Sequence, residues 1–142
     1  MNIINFVTDC FELYELMLQP IWKKHGLTKI ELDILLFLDS NPGYDTAADI
    51  IEIRKLTKSH VSAAVKKLCK KKMLEKVFFN NNKKSQHLKI LPAAEAIIKD
   101  GKVVQKQFFE DVFKGMSIDE IKVLKDFYDR LENNIQNRLA FY

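Results

Sequence analysis

Between Thr57 and Leu68 the sequence mixes small polar side chains, cations and a few aliphatics. Val61, Val65 and Leu68 are spaced by four and three residues, so on a helix they share one face. Lys58, Ser59, Ser62, Ala63, Lys66 and Lys67 then fall on the outer arc, and Thr57 is a good helix N-cap. Short hydroxyls and a methyl suit close approach to base edges in a DNA major groove, so Ser59, His60, Ser62 and Ala63 are candidate base contacts. Lys58, Lys66 and Lys67 suit phosphates, which fix position without reading sequence. The bland alternative is a solvated helix face. For His60 a second alternative is packing against the hairpin that follows.

Charge distribution separates these readings. The chain has 142 residues, with 23 basic and 19 acidic, a net charge of +4. The window 54–89 holds twelve basic residues and one acid, Glu75, a net of +11 that leaves the remainder at −7. A protein polarised in this way presents one basic surface, and nucleic acid is its natural partner because each cation near a phosphate releases counterions. Lys83 and Lys84 sit in the polar run Asn80-Asn81-Asn82-Lys83-Lys84-Ser85 and are expected to reach DNA backbone or minor groove. Lys70, Lys71 and Lys72 are expected to be solvated.

Other chemistries lack their residues. No nucleophile–base pair, carboxylate dyad or phosphate-binding glycine loop is evident, so an enzyme is not expected and no catalytic residue is assigned. His25, His60 and His87 have no metal-ligand spacing, and Cys10 and Cys69 form no paired-cysteine motif. Neither a metal nor a cofactor is expected. Residues 1–20 include Asp9, Glu12 and Glu15 without a basic leader, unlike a signal peptide. No apolar run approaches the roughly 18–20 residues of a membrane span, and two separated cysteines fit a reducing cytoplasm.

The elements that must position the basic segment follow from periodicity and punctuation. Ile3, Val7, Cys10, Tyr14, Met17 and Ile21 form one stripe of a helix over 2–24, which Pro20 is expected to kink or divide and Gly26 to stop. Thr28 and Glu31 have capping-box spacing ahead of Ile34-Leu35-Leu36-Phe37-Leu38, a helix apolar on all sides and so buried. A short helix over 46–53 precedes the 57–68 helix, which gives a helix-turn-helix. Leu74-Glu75-Lys76-Val77-Phe78-Phe79 and Gln86-His87-Leu88-Lys89-Ile90-Leu91 read as a β-hairpin, the wing. Pro92 opens a helix over 93–113. Ser117 and Glu120 cap a last one, on which Ile121, Leu124, Tyr128, Leu131 and Ile135 make a near-heptad stripe. The fold class is mostly α with a small β-hairpin wing. The terminal helices carry more apolar surface than they can bury alone, which predicts a homodimer.

Several local runs resemble the MarR family of regulators across nearly the whole chain. Leu27-Thr28 followed by Leu35 and Leu38 resembles the family's second-helix entry. Asp49-Ile50-Ile51-Glu52-Ile53, continuing through Val61-Ser62 to Leu68, resembles its helix-turn-helix. Met73-Leu74-Glu75-Lys76 stands at its strand entry, and Asn82-Lys83-Lys84 stands where its wing has Asp-x-Arg. Residues 116–134 resemble its last helix. There are departures: Ile51 replaces a small residue, Lys55 and Met73 replace glycines, Lys84 replaces the wing arginine, and Leu91-Pro92 replaces Leu-Thr. A flexible lysine reads a narrow minor groove less selectively than an arginine fork.

The resemblance implies a dimeric transcriptional repressor on a pseudo-palindromic double-stranded operator. Residues 1–27 and 92–142 would form the dimer platform, and 28–91 the DNA-binding lobe. It also implies a small aromatic effector bound near Tyr14, Trp22, Phe37, Tyr44 or Phe108, although core packing is the simpler role for each. Cys10-Phe11 with Leu13-Tyr14 echoes a peroxide-sensing branch, but Cys10 falls about two turns late, so a buried free thiol is expected. The alternative functions are a sequence-tolerant architectural DNA binder and a winged helix that binds protein.

Overall fold

A computed structural model of the chain describes residues 1–79 and 86–142. The turn expected at 80–85, with Lys83 and Lys84, lies outside the described residues. The elements are α1 (Ile3–Lys24), α2 (Lys29–Ser40), α3 (Ala47–Arg54), α4 (Lys58–Lys70), β1 (Leu74–Phe78), β2 (Gln86–Ile90), a 3-10 turn (Pro92–Ala94), α5 (Glu95–Val112) and α6 (Ile118–Leu139). They form two compact units, Met1–Phe108 and Phe109–Tyr142.

In the first unit α2 is the central helix. Leu32 and Ile34 through Leu38 are all buried, as an all-round apolar run requires. Leu18 of α1, Ile50 of α3, Val61, Ala64, Val65 and Leu68 of α4, Leu74 of β1, Leu88 of β2, and Ile97 and Ile98 of α5 join the same core. Gly101 sits in mid-helix on α5, where glycine costs about 0.5–1 kcal/mol relative to alanine. The position explains it: a Cβ there would lie 2.9 Å from Leu36 Cδ2. Any larger residue there would force the Leu36 side chain to shift.

The helix ends follow local chemistry, with two departures from expectation. Pro20 does not divide α1, which runs unbroken, and Gly26 follows it at φ 66°. Thr28 Oγ1 accepts from the Glu31 backbone N–H at 3.3 Å, but the Glu31 carboxylate does not complete a capping box. It turns inward, 1% exposed, and accepts from Lys71 Nζ at 3.0 Å. The same ammonium donates to the Gly26 carbonyl at 3.0 Å. Lys71, expected in solvent, thus ties the end of α4 to α2 and to the turn before it.

The hairpin is antiparallel, with Leu74 opposite Ile90 and Phe78 opposite Gln86. Thr46 adds an isolated bridge to His87, and Leu88 N–H donates to the Asp45 carbonyl at 2.8 Å. Through this bridge and the Leu88–Asp45 bond, the segment before α3 ties the two-stranded hairpin to the helix-turn-helix. His87 Nδ1 is also 2.6 Å from Asp45 Oδ1.

In the second unit, Ser117 and Glu120 form the expected capping box of α6, at 3.1 and 2.7 Å. No α6 residue is buried. Leu124, Phe127, Tyr128, Leu131 and Ile135 are all exposed.

Candidate nucleic-acid interface

α3 begins with a capping box that the spacing rule missed. Thr46 Oγ1 accepts from Asp49 N–H at 3.1 Å, and the Asp49 carboxylate accepts from Thr46 N–H at 3.1 Å. α3 ends at Lys55, which is left-handed at φ 53°, ψ 41°. This is the position where the resemblance expected glycine. Leu56 N–H then bonds back to Ile51 O at 3.2 Å, and Thr57 caps α4 by accepting from His60 N–H at 3.4 Å.

A left-handed lysine carries a Cβ clash of about 1–2 kcal/mol, partly offset because glycine is the more costly residue to order. Lys55→Gly is expected to raise the unfolding free energy by about 0.5–1 kcal/mol, read as a higher urea midpoint at unchanged m-value. An unchanged or lower midpoint would contradict this. The second expected glycine site is displaced by one residue: Lys72 (φ 58°), not Met73, takes the left-handed conformation.

On α4 the division of faces is clean. Val61, Ala64, Val65 and Leu68 are buried. Thr57, Lys58, Ser59, His60, Ser62, Ala63, Lys66 and Lys67 are exposed, so the structure brings together all eight of these predicted site residues. Among the described residues no acid pairs with Lys58, Lys66 or Lys67. Lys71 and Arg54, by contrast, are committed to Glu31 and to Asp33, the latter at 3.7 Å. His60 lines a shallow groove with Thr28, Lys29, Ala63 and Lys67, and the histidine that packs in the hairpin is His87.

Residues 25–84 match the MarR family model. That stretch spans α2, α3, α4 and β1. No curated protein matches the chain significantly. Solved structures share the fold at low identity. A MarR-family transcriptional regulator from Listeria monocytogenes complexed with 26mer DNA has TM-score 0.84 and 20% identity, covering 97% of this chain and 91% of that one. The transcriptional regulator SlyA has TM-score 0.82 and 17% identity, covering 99% of each chain. A MarR protein from Peptoclostridium difficile has TM-score 0.80 and 17% identity, covering 97% and 90%.

Beside the helix-turn-helix, α1 and α2 line a cavity of about 130 Å³ with Phe11, Tyr14, Leu18, Trp22, Asp33 and Arg54, among others. Burial pushes the Asp33 carboxyl up, against the lowering effect of Arg54 and Lys29. Burial likewise raises the Tyr14 hydroxyl, which accepts from Gln105 Nε2 at 2.7 Å. Of the five aromatics expected at an effector site, Tyr14 and Trp22 line this cavity. Phe37 is buried in the core, Tyr44 is exposed, and Phe108 packs edge-on against Tyr14 at 5.2 Å.

Cys10 and Cys69 are both free and half-buried. Burial raises the Cys69 thiol, which favours packing over thiolate chemistry. Among the described residues no three metal-binding side chains cluster, and no helix is long and apolar enough to cross a membrane.

Proposed function

We propose that the chain is a sequence-specific, double-stranded DNA-binding transcriptional regulator that acts as a homodimer. The outer face of α4 carries this reading: eight exposed residues, with Lys58, Lys66 and Lys67 not paired to any described acid. Ser59, His60, Ser62 and Ala63 meet base edges in the major groove, while Lys58, Lys66 and Lys67 meet phosphates. Lys83 and Lys84 reach the flanking backbone or minor groove. The DNA seen with the Listeria monocytogenes relative supports the same role for this lobe. Residues 1–27 and 92–142 serve as the dimer platform. Two lobes then occupy successive major grooves of a pseudo-palindromic operator, roughly 34–36 Å apart.

Binding represses by covering a promoter in the cytoplasm, and no reaction is catalysed. A small aromatic effector entering the cavity at Tyr14 and Trp22 would release the DNA by favouring a lobe spacing unsuited to it.

The test is fluorescence anisotropy across a salt series, with the DNA upstream of the protein's own coding sequence and a scrambled duplex. A preference of about 10³ or more for the native duplex is expected. Lys66→Ala/Lys67→Ala should flatten the log–log salt slope by about 2, close to one released counterion per lysine. Equal affinity for both duplexes favours the architectural alternative, and no binding at low salt sinks the reading.

A further inference from the structure

The cavity lined by α1 and α2 holds four charged side chains that sum to zero: Glu15, Lys29, Asp33 and Arg54. They are not equally satisfied. Lys29 and Glu15 form an ion pair of their own. Among the described residues the cation paired with Asp33 is Arg54, at 3.7 Å, beyond the roughly 2.7–2.9 Å of a close charge-assisted hydrogen bond. The Asp33 side chain is 14% exposed and that of Arg54 39%, so water compensates the guanidinium far better than the carboxylate. Burial raises the Asp33 carboxyl more than Arg54 and Lys29 lower it. The acid is therefore the group whose pairing a ligand would improve most.

Phe11, Tyr14 and Trp22 line the same cavity. Aromatic rings beside a carboxylate suit a cation, because ring faces are electron-rich. An anion fares worse. Beside Arg54 it would stand next to Asp33 and Glu15 and would deprive Asp33 of its cation. Volume limits the size: about 130 Å³ is close to the roughly 150 Å³ that admits one benzene ring.

The Asp33–Arg54 pair also joins α2 to the turn into α4. Arg54 is the last residue of α3, Lys55 is left-handed, and Leu56 follows it. Arg54 and Leu56 both line the cavity, so an occupant meets both sides of that turn. Arg54 borders a second cavity of about 140 Å³ with Asn41 and Gln105, whose amide oxygens are acceptors that a displaced guanidinium can use.

We propose that the effector is a single-ring organic cation, of the amidinium or ammonium class, that takes Asp33 from Arg54 and so frees the turn into α4. The inference rests on the effector reading and adds the charge of the ligand, the acid that selects it and the contact it breaks. The ligand's N–H groups donate to the Asp33 carboxylate, and its ring lies among Phe11, Tyr14 and Trp22. Release of Arg54 loosens α3 from α2 where the chain turns into α4.

The test is calorimetric titration of the full-length protein with benzamidine, benzamide and benzoate, which share a ring and differ in head group. Benzamidine should bind about tenfold or more tightly than either of the others, the worth of one charge-assisted hydrogen bond. Asp33→Asn should abolish that preference and leave benzamide binding within about twofold of wild type. Arg54→Met should bind benzamidine about threefold or more tightly, since no guanidinium competes for Asp33. A merely structural Arg54 would give no such gain. Benzamidine should also weaken operator binding by the wild-type protein and not by Asp33→Asn.

Benzoate or benzamide binding as tightly as benzamidine overturns the cation assignment and leaves an effector cavity in place. So does an Asp33→Asn protein that melts as wild type does and keeps the preference. Binding of none of the three overturns the assignment and the effector reading together, and the DNA titration of the same protein decides the regulator reading separately.

Discussion

Lys71→Met is expected to lower the unfolding free energy by about 2–3 kcal/mol, the larger stability loss of any single lysine change in the basic window. Methionine keeps the aliphatic stem, so packing alone predicts little change. What it removes is the ammonium that bridges Glu31 Oε2 and the Gly26 carbonyl, each at 3.0 Å. Glu31 is 1% exposed and cannot turn to water, so its carboxylate is left buried beside no cation. The lysine side chain is 36% exposed, so solvent screens the pair and the loss falls below the 3–5 kcal/mol or so typical of a fully buried one.

The partners should be unequal. Glu31→Met should cost less than Lys71→Met, because a freed Lys71 reaches solvent and a stranded Glu31 does not. The variant carrying both changes should recover most of the loss, since an apolar pair can replace a buried ion pair at little net cost. Urea denaturation of the four proteins measures the coupling. Strictly additive losses would refute it. Lys71→Met should also leave the DNA salt slope unchanged, because this cation is already neutralised within the fold.

Legibility followed sequence distance. The α4 face was legible because three aliphatic residues at steps of four and three define a helical stripe without help from elsewhere. The Ser117–Glu120 cap and the buried α2 run were legible for the same local reason. The Glu31 reading failed in its second half because its true partner is 40 residues away. A three-residue spacing cannot reveal that, and the burial of α2 overrides the local bond. The Asp45–His87 contact, 42 residues apart, was hidden in the same way. Thr46 and Asp49 escaped notice because the familiar pattern has a longer carboxylate at that place, yet aspartate reaches both groups. At Lys55 the resemblance marked a departure from glycine, and the left-handed backbone there emerged only in the structure. Near Met73, the other departure from glycine, the left-handed residue is Lys72, which makes the turn into β1.

Leu124→Asp/Leu131→Asp is expected to convert the protein to monomer at micromolar concentration and to weaken operator binding by about 10² or more. The two leucines are seven residues apart, on one stripe with Tyr128 and Ile135, and all four side chains are exposed. Within its own unit α6 buries none of its residues, so aspartates there disturb no core contact of the second unit. Their helix penalty is small beside the cost of placing two carboxylates in the apolar subunit interface proposed above. Loss of the dimer removes the second half-site from the binding event, since a tethered lobe binds at a high effective concentration and a free one does not. Sedimentation equilibrium and anisotropy on the same samples test both halves of the expectation. A variant that stays dimeric would move the interface away from α6. A monomer that binds the full operator as tightly as wild type would show that one lobe suffices, and would remove the reason for a two-fold operator.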